Sequence, residues 1–189
     1  MPPHDKNYWD QWYIQNPSMP PSPFAIWCQE NYLEGKSLNL LDVGCGNGRD
    51  SLYFASKGHT VTGFDSANVK RPTLINPQFV QRDVLSGLLS SDVIYVRWFL
   101  HVLNENETDS FLILVSSSVK PGGFVFMEFR TNLYGLKQDH YRREINRTDV
   151  ERSLCHLGMT VDFSVEGKGF SKVRDDDPTL ARIVAIRQV

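Results

Sequence analysis

Three glycines two residues apart, Gly44, Gly46 and Gly48, follow directly on the apolar run Leu40-Leu41-Asp42-Val43. A strand that passes through glycines into a helix turns sharply. Its bare backbone approaches a ligand closely, with the N–H groups of the helix start facing it. A lone triplet of this kind is as often a plain tight turn, so its neighbours carry the decision. The dinucleotide fingerprint sets its third glycine one residue later, where Arg49 stands, and this points away from a nicotinamide cofactor toward a different nucleoside. Asp65 closes the next apolar run with Ser66 beside it, and a carboxylate there accepts hydrogen bonds from both hydroxyls of a ribose. Asp83 follows Phe79-Val80 in the same relation and is placed to accept from an exocyclic amine. Either acid alone reads equally as a helix cap or a turn residue. Together with the glycine loop they mark the ends of consecutive strands and outline a crevice at the switch point of a sheet.

Such a crevice needs a frame, and the pattern of apolar residues supplies one. Residues 38–43, 60–64, 79–80, 92–96 and 124–129 read as strands, and 160–165 and 180–186 as two more. Between them, 48–57 reads as a helix closed by Gly58. Residues 108–118 read as a helix with an apolar face at Phe111, Leu112 and Val115, stopped by Pro121-Gly122-Gly123. Thr148 is placed to cap a third, over 149–157, which finishes at Gly158. This alternation predicts a Rossmann-like α/β fold: a seven-stranded, mostly parallel sheet with helices on both faces and the last two strands as an antiparallel hairpin at one edge. The spacers after the second and third strands have room for one helical turn or less. Residues 37–189 form the core of what reads as a single domain. They are preceded by an aromatic, proline-rich arm, 1–36, in which Ser22-Pro23 starts a helix over 24–33 that ends at Gly35. The arm's Tyr8, Trp9, Trp12 and Tyr13 recur at near-helical spacing, which serves packing or a lid.

Twenty Lys and Arg against 22 Asp and Glu leave a net charge of −2, which speaks against a general nucleic-acid binder. The apolar runs at 93–96 and 111–115 stop well short of the ~20 residues a membrane span needs. The opening Met1-Pro2-Pro3-His4-Asp5 lacks a basic region followed by an apolar stretch. Cys28, Cys45 and Cys155 are odd in number and widely spaced, with no zinc-cage or redox spacing, so free thiols in the cytoplasm are expected. The acidic triplet Asp175-Asp176-Asp177 reads as a turn, and no metal site is expected.

The runs Leu41-Asp42-Val43-Gly44-Cys45-Gly46-Asn47-Gly48, Val61-Thr62-Gly63-Phe64-Asp65, Arg82-Asp83-Val84 and Pro121-Gly122-Gly123 resemble, in order, the motifs of class I S-adenosylmethionine-dependent methyltransferases. The similarity spans about residues 37 to 189. It implies that the loop from Asp42 through Gly44, Cys45, Gly46, Asn47 and Gly48 contacts the methionine part of the cofactor, with Arg49 and Ser66 bordering it. By the same resemblance Asp65 holds the ribose, and Asp83 with the Val84 backbone N–H reads adenine. Arg97-Trp98-Phe99-Leu100-His101 then flanks the sulfonium.

The acceptor is less legible. Arg97-Trp98-Phe99-Leu100 stands where amino-methylating nucleic-acid enzymes carry Asn or Asp-Pro-Pro-aromatic, which leaves small molecules, glycans and proteins. His101 sits about one turn beyond the fourth strand, either as a base that takes a proton from a hydroxyl or amine, or as a packed side chain. Lys137, His140, Tyr141, Arg142, Arg143 and Arg147, with Arg130 at the end of the fifth strand, form either a solvated charged face or a clamp for an anion. With Trp9, Trp12 and Trp98 as apolar walls, the clamp predicts methyl transfer to oxygen or nitrogen of an anionic small molecule or glycan. A weaker resemblance, over 139–145 and 167–186, is to methyltransferases associated with bacterial surface-polysaccharide assembly. Two other readings stay open: a cofactor-binding partner module without catalysis, and a nucleotide-dependent oxidoreductase, which Arg49 disfavours.

Overall fold

The computed structural model describes residues 3–16, 19–132, 141–172 and 176–189. Seven strands, β1 (Asn39–Val43), β2 (Thr60–Asp65), β3 (Gln78–Gln81), β4 (Ser91–Arg97), β5 (Val119–Arg130), β6 (Met159–Gly167) and β7 (Leu180–Arg187), make one sheet. Their order is β3-β2-β1-β4-β5-β7-β6. Pairing is parallel from β3 through β5, and β7 runs antiparallel to both β5 and β6. The closing hairpin expected from the sequence is therefore present, with β6 as its edge. Order reverses between β1 and β4, so the crevice opens at the carboxyl ends of these two strands.

The central strands are apolar on both faces because both are covered. Leu41, Val43, Ile94, Val96, Val125 and Met127 pack beneath α4 (Glu105–Ser118) and α5 (Arg147–His156), through Phe111, Leu112, Val115, Val150 and Leu154. Their neighbours one residue away, Leu40, Val93, Tyr95 and Phe126, face α2 (Pro23–Cys28) and α3 (Arg49–Ser56), through Phe24, Ala25, Cys28 and Phe54. The second half of the arm is thus part of the core, whereas α1 (Pro3–Gln15) lies over the crevice.

Several boundaries differ from the sequence reading, each for a local reason. Ser22 caps α2, accepting from the Ala25 N–H at 3.1 Å, but after Cys28 the helix widens into a π-helical turn over Gln29–Leu33. α4 starts at Glu105 rather than 108. Asn104 and Glu107 form a reciprocal capping box, each side chain accepting from the other's backbone N–H at 2.9 Å. Asn146, not Thr148, caps α5, accepting from the N–H groups of Thr148 and Asp149. Pro121-Gly122-Gly123 does not separate helix from strand: β5 begins at Val119, which pairs with Ser91, and the register shifts once before Phe124 meets Val93. Of the short crossovers, β2 to β3 holds no helix and β3 to β4 holds only the single 3₁₀ turn Val84–Ser86. Among the described residues no helix is long and apolar enough to cross a membrane.

Below the sheet's amino-terminal edge, His59 is fully buried. Its Nδ1 accepts from the Leu38 N–H at 3.3 Å and its Nε2 bonds Gln29 Oε1 at 2.8 Å. Burial depresses its pKa below the usual 6.5, so the native state holds this ring neutral where the unfolded chain would protonate it. A depressed value means the contribution is present above pH 6.5 and is lost as pH falls through the native value. The difference in melting temperature between pH 7.5 and 5.5 should therefore be smaller in His59→Gln than in the wild type. Equal differences in a thermal-shift series would refute this.

Candidate active site

The carboxyl ends of β1, β2 and β4, with the turn after β3, open into one cavity of about 310 Å³. Its floor is the glycine loop. Gly46 has φ +55°, and a side chain there would strike the Tyr13 hydroxyl 2.1 Å away. Gly48 has φ +82°, and a Cβ would lie 2.4 Å from the Phe79 ring. Only glycine combines this backbone with this proximity. Four N–H groups of the loop are engaged within the fold: those of Gly44 and Cys45 donate to the Phe64 carbonyl, that of Gly46 to Asp65, and that of Gly48 to the Cys45 carbonyl. The Arg49 N–H faces Asn47 Oδ1 at 3.4 Å.

Asp65 uses each carboxylate oxygen once, accepting from Gly46 N–H and from Ala67 N–H, both at 2.8 Å. Its remaining lone pairs face the cavity that Asp65 and Ser66 line. Burial raises its pKa, against the pull of those two N–H groups. Asp83 caps the 3₁₀ turn through the Leu85 N–H at 2.9 Å and also lines the cavity, next to the buried Val84. Asp42 lies deeper, accepting from Ser51 Oγ at 2.5 Å, and its pKa is pushed up to about 7, first by burial and then by the charge of Asp50. Asp50 in turn accepts from the backbone and hydroxyl of Ser22 and from Tyr95 OH, which ties α2 and β4 to the head of α3.

On the far wall, Arg97, Glu128 and Arg182 are register partners across β4, β5 and β7. Glu128 is fully buried and accepts from Arg97 Nε at 3.0 Å and Arg182 Nε at 2.8 Å. Burial works against the Arg97 charge, but Glu128, Tyr95 and Asp50 together outweigh it and raise its pKa. Trp98, at φ +55°, lies with its ring 5.0 Å from the Arg97 guanidinium and 4.8 Å from that of Arg130. His101, only 2% exposed, sits on the 3₁₀ turn Leu100–Val102 edge-on to Trp98, ring centres 6.4 Å apart, and lines the same cavity.

From above, α1 contributes Tyr8, Trp9, Trp12 and Tyr13, held by Asp10, which accepts from the Asn68 N–H at 2.7 Å. Burial and then the nearby Asp65 drive the Tyr13 pKa upward, so its hydroxyl stays protonated. Cys45, Asn47 and Arg49 border the loop, and Arg49 Nη1 donates to the Pro20 carbonyl at 3.3 Å.

The basic insertion does not converge on the site as a unit. Arg130 and Arg142 line the cavity, Arg130 paired with Asp176. Tyr141 is exposed and lies off it. Arg143 points the other way, donating from its backbone to the His101 carbonyl and from its guanidinium to the Leu103 carbonyl and Thr108 Oγ1. It is a strap from the insertion to the turn after β4 and the head of α4, making three hydrogen bonds there. Arg147 pairs with Glu151 and Glu166, also outside. Lys137, His140 and Asp175 lie outside the described residues. Four contributors escaped the sequence reading: Glu128, Tyr13 as a loop contact, Phe79 beneath Gly48, and Arg71, whose Nε donates to the Gly46 carbonyl at 2.6 Å. Glu128 alone left a legible signal, a carboxylate inside the apolar run Phe124-Val125-Phe126-Met127-Glu128-Phe129.

Residues 27–163 match the family model of the methyltransferase domain, well over half of the chain. An uncharacterized methyltransferase of Synechocystis sp. is 28% identical over 151 residues, covering 70% of this chain and 71% of its own length. Among solved structures, the 1,6-didemethyltoxoflavin-N1-methyltransferase of Burkholderia thailandensis, with 1,6-didemethyltoxoflavin and S-adenosylhomocysteine bound, is 19% identical. It superposes with a TM-score of 0.71 over 88% of this chain and 77% of its own. The magnesium protoporphyrin IX methyltransferase of Synechocystis PCC 6803, also with S-adenosylhomocysteine bound, is 15% identical with a TM-score of 0.67, over 98% and 84%. The chain belongs to the methyltransferase-domain family, in its class I, S-adenosylmethionine-dependent form. S-adenosylmethionine is accordingly its cofactor. The cavity fits that molecule: a loop with no room for side chains lets a ligand approach the backbone closely, and carboxylates stand at two successive strand ends.

The raised pKa of Asp42 carries a stability consequence of the opposite sign to that of His59. A carboxyl whose native pKa exceeds its unfolded one stabilises the fold fully below the unfolded value, near 4, and loses that contribution as pH rises through about 7. Without cofactor, the melting temperature of the wild type should fall between pH 6 and 8 relative to Asp42→Asn, which stays neutral. A parallel pair of curves would contradict the assignment.

Proposed function

We propose that this methyltransferase transfers a methyl group to oxygen or nitrogen of an anionic small molecule or glycan. The observation that supports it best is the joining, in one cavity, of the glycine loop, Asp65 and Asp83 with a separate wall of Trp98, His101, Arg130 and Arg142. When bound, S-adenosylmethionine supplies an electrophilic methyl on a positively charged sulfur. The Gly44–Gly48 loop and Arg97 take its methionine end, Asp65 its ribose, and Asp83 with Val84 its adenine. Displacement at carbon needs little covalent help from the protein. The chain's contribution is alignment and exclusion of water, with Trp9, Trp12 and Tyr13 of α1 closing the top as a lid.

His101 receives the proton that the acceptor's hydroxyl or amine gives up as the new bond forms. Arg130 supports an anionic acceptor: nearly buried, it already holds the Asp176 carboxylate, which marks where a substrate carboxylate or phosphate would dock. Arg142 stands beside it on the cavity wall. Cys28, Cys45 and Cys155 are free thiols, which supports a reducing cytoplasm as its location.

Calorimetry with S-adenosylhomocysteine tests the cofactor side. The wild type should bind, and Asp65→Ala should bind about tenfold to a hundredfold more weakly, from the loss of charged hydrogen bonds to the ribose. Mass spectrometry of cell extract incubated with the protein and cofactor should reveal an anionic product heavier by one methylene. With that acceptor in hand, His101→Ala should lower turnover about a hundredfold or more while leaving S-adenosylhomocysteine affinity within twofold. An equal loss in both would assign His101 to packing. Binding without any methylated product would favour a partner module.

A further inference from the structure

The geometry points to Glu128 as a positioning residue of this site, acting on the cavity through Trp98 and Arg97 without touching the cavity itself. The carboxylate has no exposure to water, and its two oxygens face different partners. Oε1 accepts from Arg97 Nε and from the Trp98 indole N–H, each at 3.0 Å, both on the cavity side. Oε2 accepts from Arg182 Nε at 2.8 Å, on the side where Arg182 stacks against Phe24, Trp27 and Phe170. Ser171 Oγ bridges the pair at 3.2 and 3.3 Å.

Glu128 also grips Trp98 a second time, its own carbonyl accepting from the Trp98 backbone N–H at 2.7 Å. A bulky residue at φ +55° is strained and persists only where its surroundings over-determine it. Two hydrogen bonds from one residue, to the main chain and to the ring, do this. The consequence is a fixed indole plane beside a fixed guanidinium, directly after the strand whose Val96 pairs with the Val43 that leads into the glycine loop. Glu128 has a purely structural duty as well, since it is ion-paired to the buried Arg182 and the half-buried Arg97, but that duty is shared between its oxygens. The Oε1 side orients the wall, and the Oε2 side anchors β7.

This division can be tested on the full-length chain, and it rests on the reading that the cavity holds the cofactor. S-adenosylhomocysteine is titrated calorimetrically into wild type, Glu128→Gln, Trp98→Phe, the double variant and Arg182→Met, with melting temperatures measured in parallel. Glu128→Gln should weaken binding about tenfold. The double variant should bind no more weakly than Glu128→Gln within twofold, because both changes break the same linkage. Arg182→Met, which breaks a buried pair of the same carboxylate on its far side, should lower the melting temperature comparably yet leave affinity within about threefold of wild type. Affinity losses that track the melting temperature across Glu128→Gln and Arg182→Met would overturn the proposal and leave Glu128 a structural residue. Full affinity in a folded Glu128→Gln would overturn it too. If Glu128→Gln fails to fold, Glu128→Asp decides, since it keeps the charge but draws the carboxylate back from the Trp98 indole N–H: a severalfold loss supports the linkage, and wild-type affinity refutes it. Failure of the wild type itself to bind would instead strike the cofactor reading.

Discussion

A carboxylate withdrawn from water must be paired on every side, and in this protein that requirement falls on Glu128, on β5 between β4 and β7. Its partners come from β4, from β7 and from the connection between β6 and β7, so satisfying one side chain aligns three strands and a loop. Arg97 and Arg182 are its cross-strand neighbours in register, and a slip of one residue in either pairing would part the buried Glu128 from one of its two arginines. The antiparallel β7 matters here because it, rather than a further parallel strand, brings Arg182 beside β5.

The opposite side of the cleft is secured by a second buried carboxylate. Asp50, at the head of α3, binds the cap of α2 through Ser22 and the centre of β4 through Tyr95. The glycine loop lies between these two anchored walls and is held from above and below by Arg71, Asp65 and the rings of Tyr13 and Phe79.

The two structural neighbours carry very different acceptors by name, a toxoflavin precursor and a magnesium porphyrin, on one frame. Fold alone therefore does not choose the acceptor. In this chain the cavity rim is lined by Trp98, Arg130 with its partner Asp176, Arg142, and the aromatic underside of α1.

Much of this was legible from the residues in order. Alternating apolar runs, glycine punctuation and acids at two strand ends determined the sheet, its closing hairpin and the glycine loop at its switch point, because those features depend on local geometry and short-range spacing. Helix starts were read late where the capping residue, Asn104 or Asn146, stood ahead of the apolar pattern. Tertiary structure decided what spacing does not encode. Arg142 and Arg143 are adjacent in sequence, yet one faces the cavity and the other straps α4, since neighbouring side chains on an extended segment point to opposite sides. Glu128 acquires its role only when β4 and β7 lie on either side of it. Tyr13 reaches Gly46, about thirty residues further along the chain, only because α1 folds back over the ends of the strands.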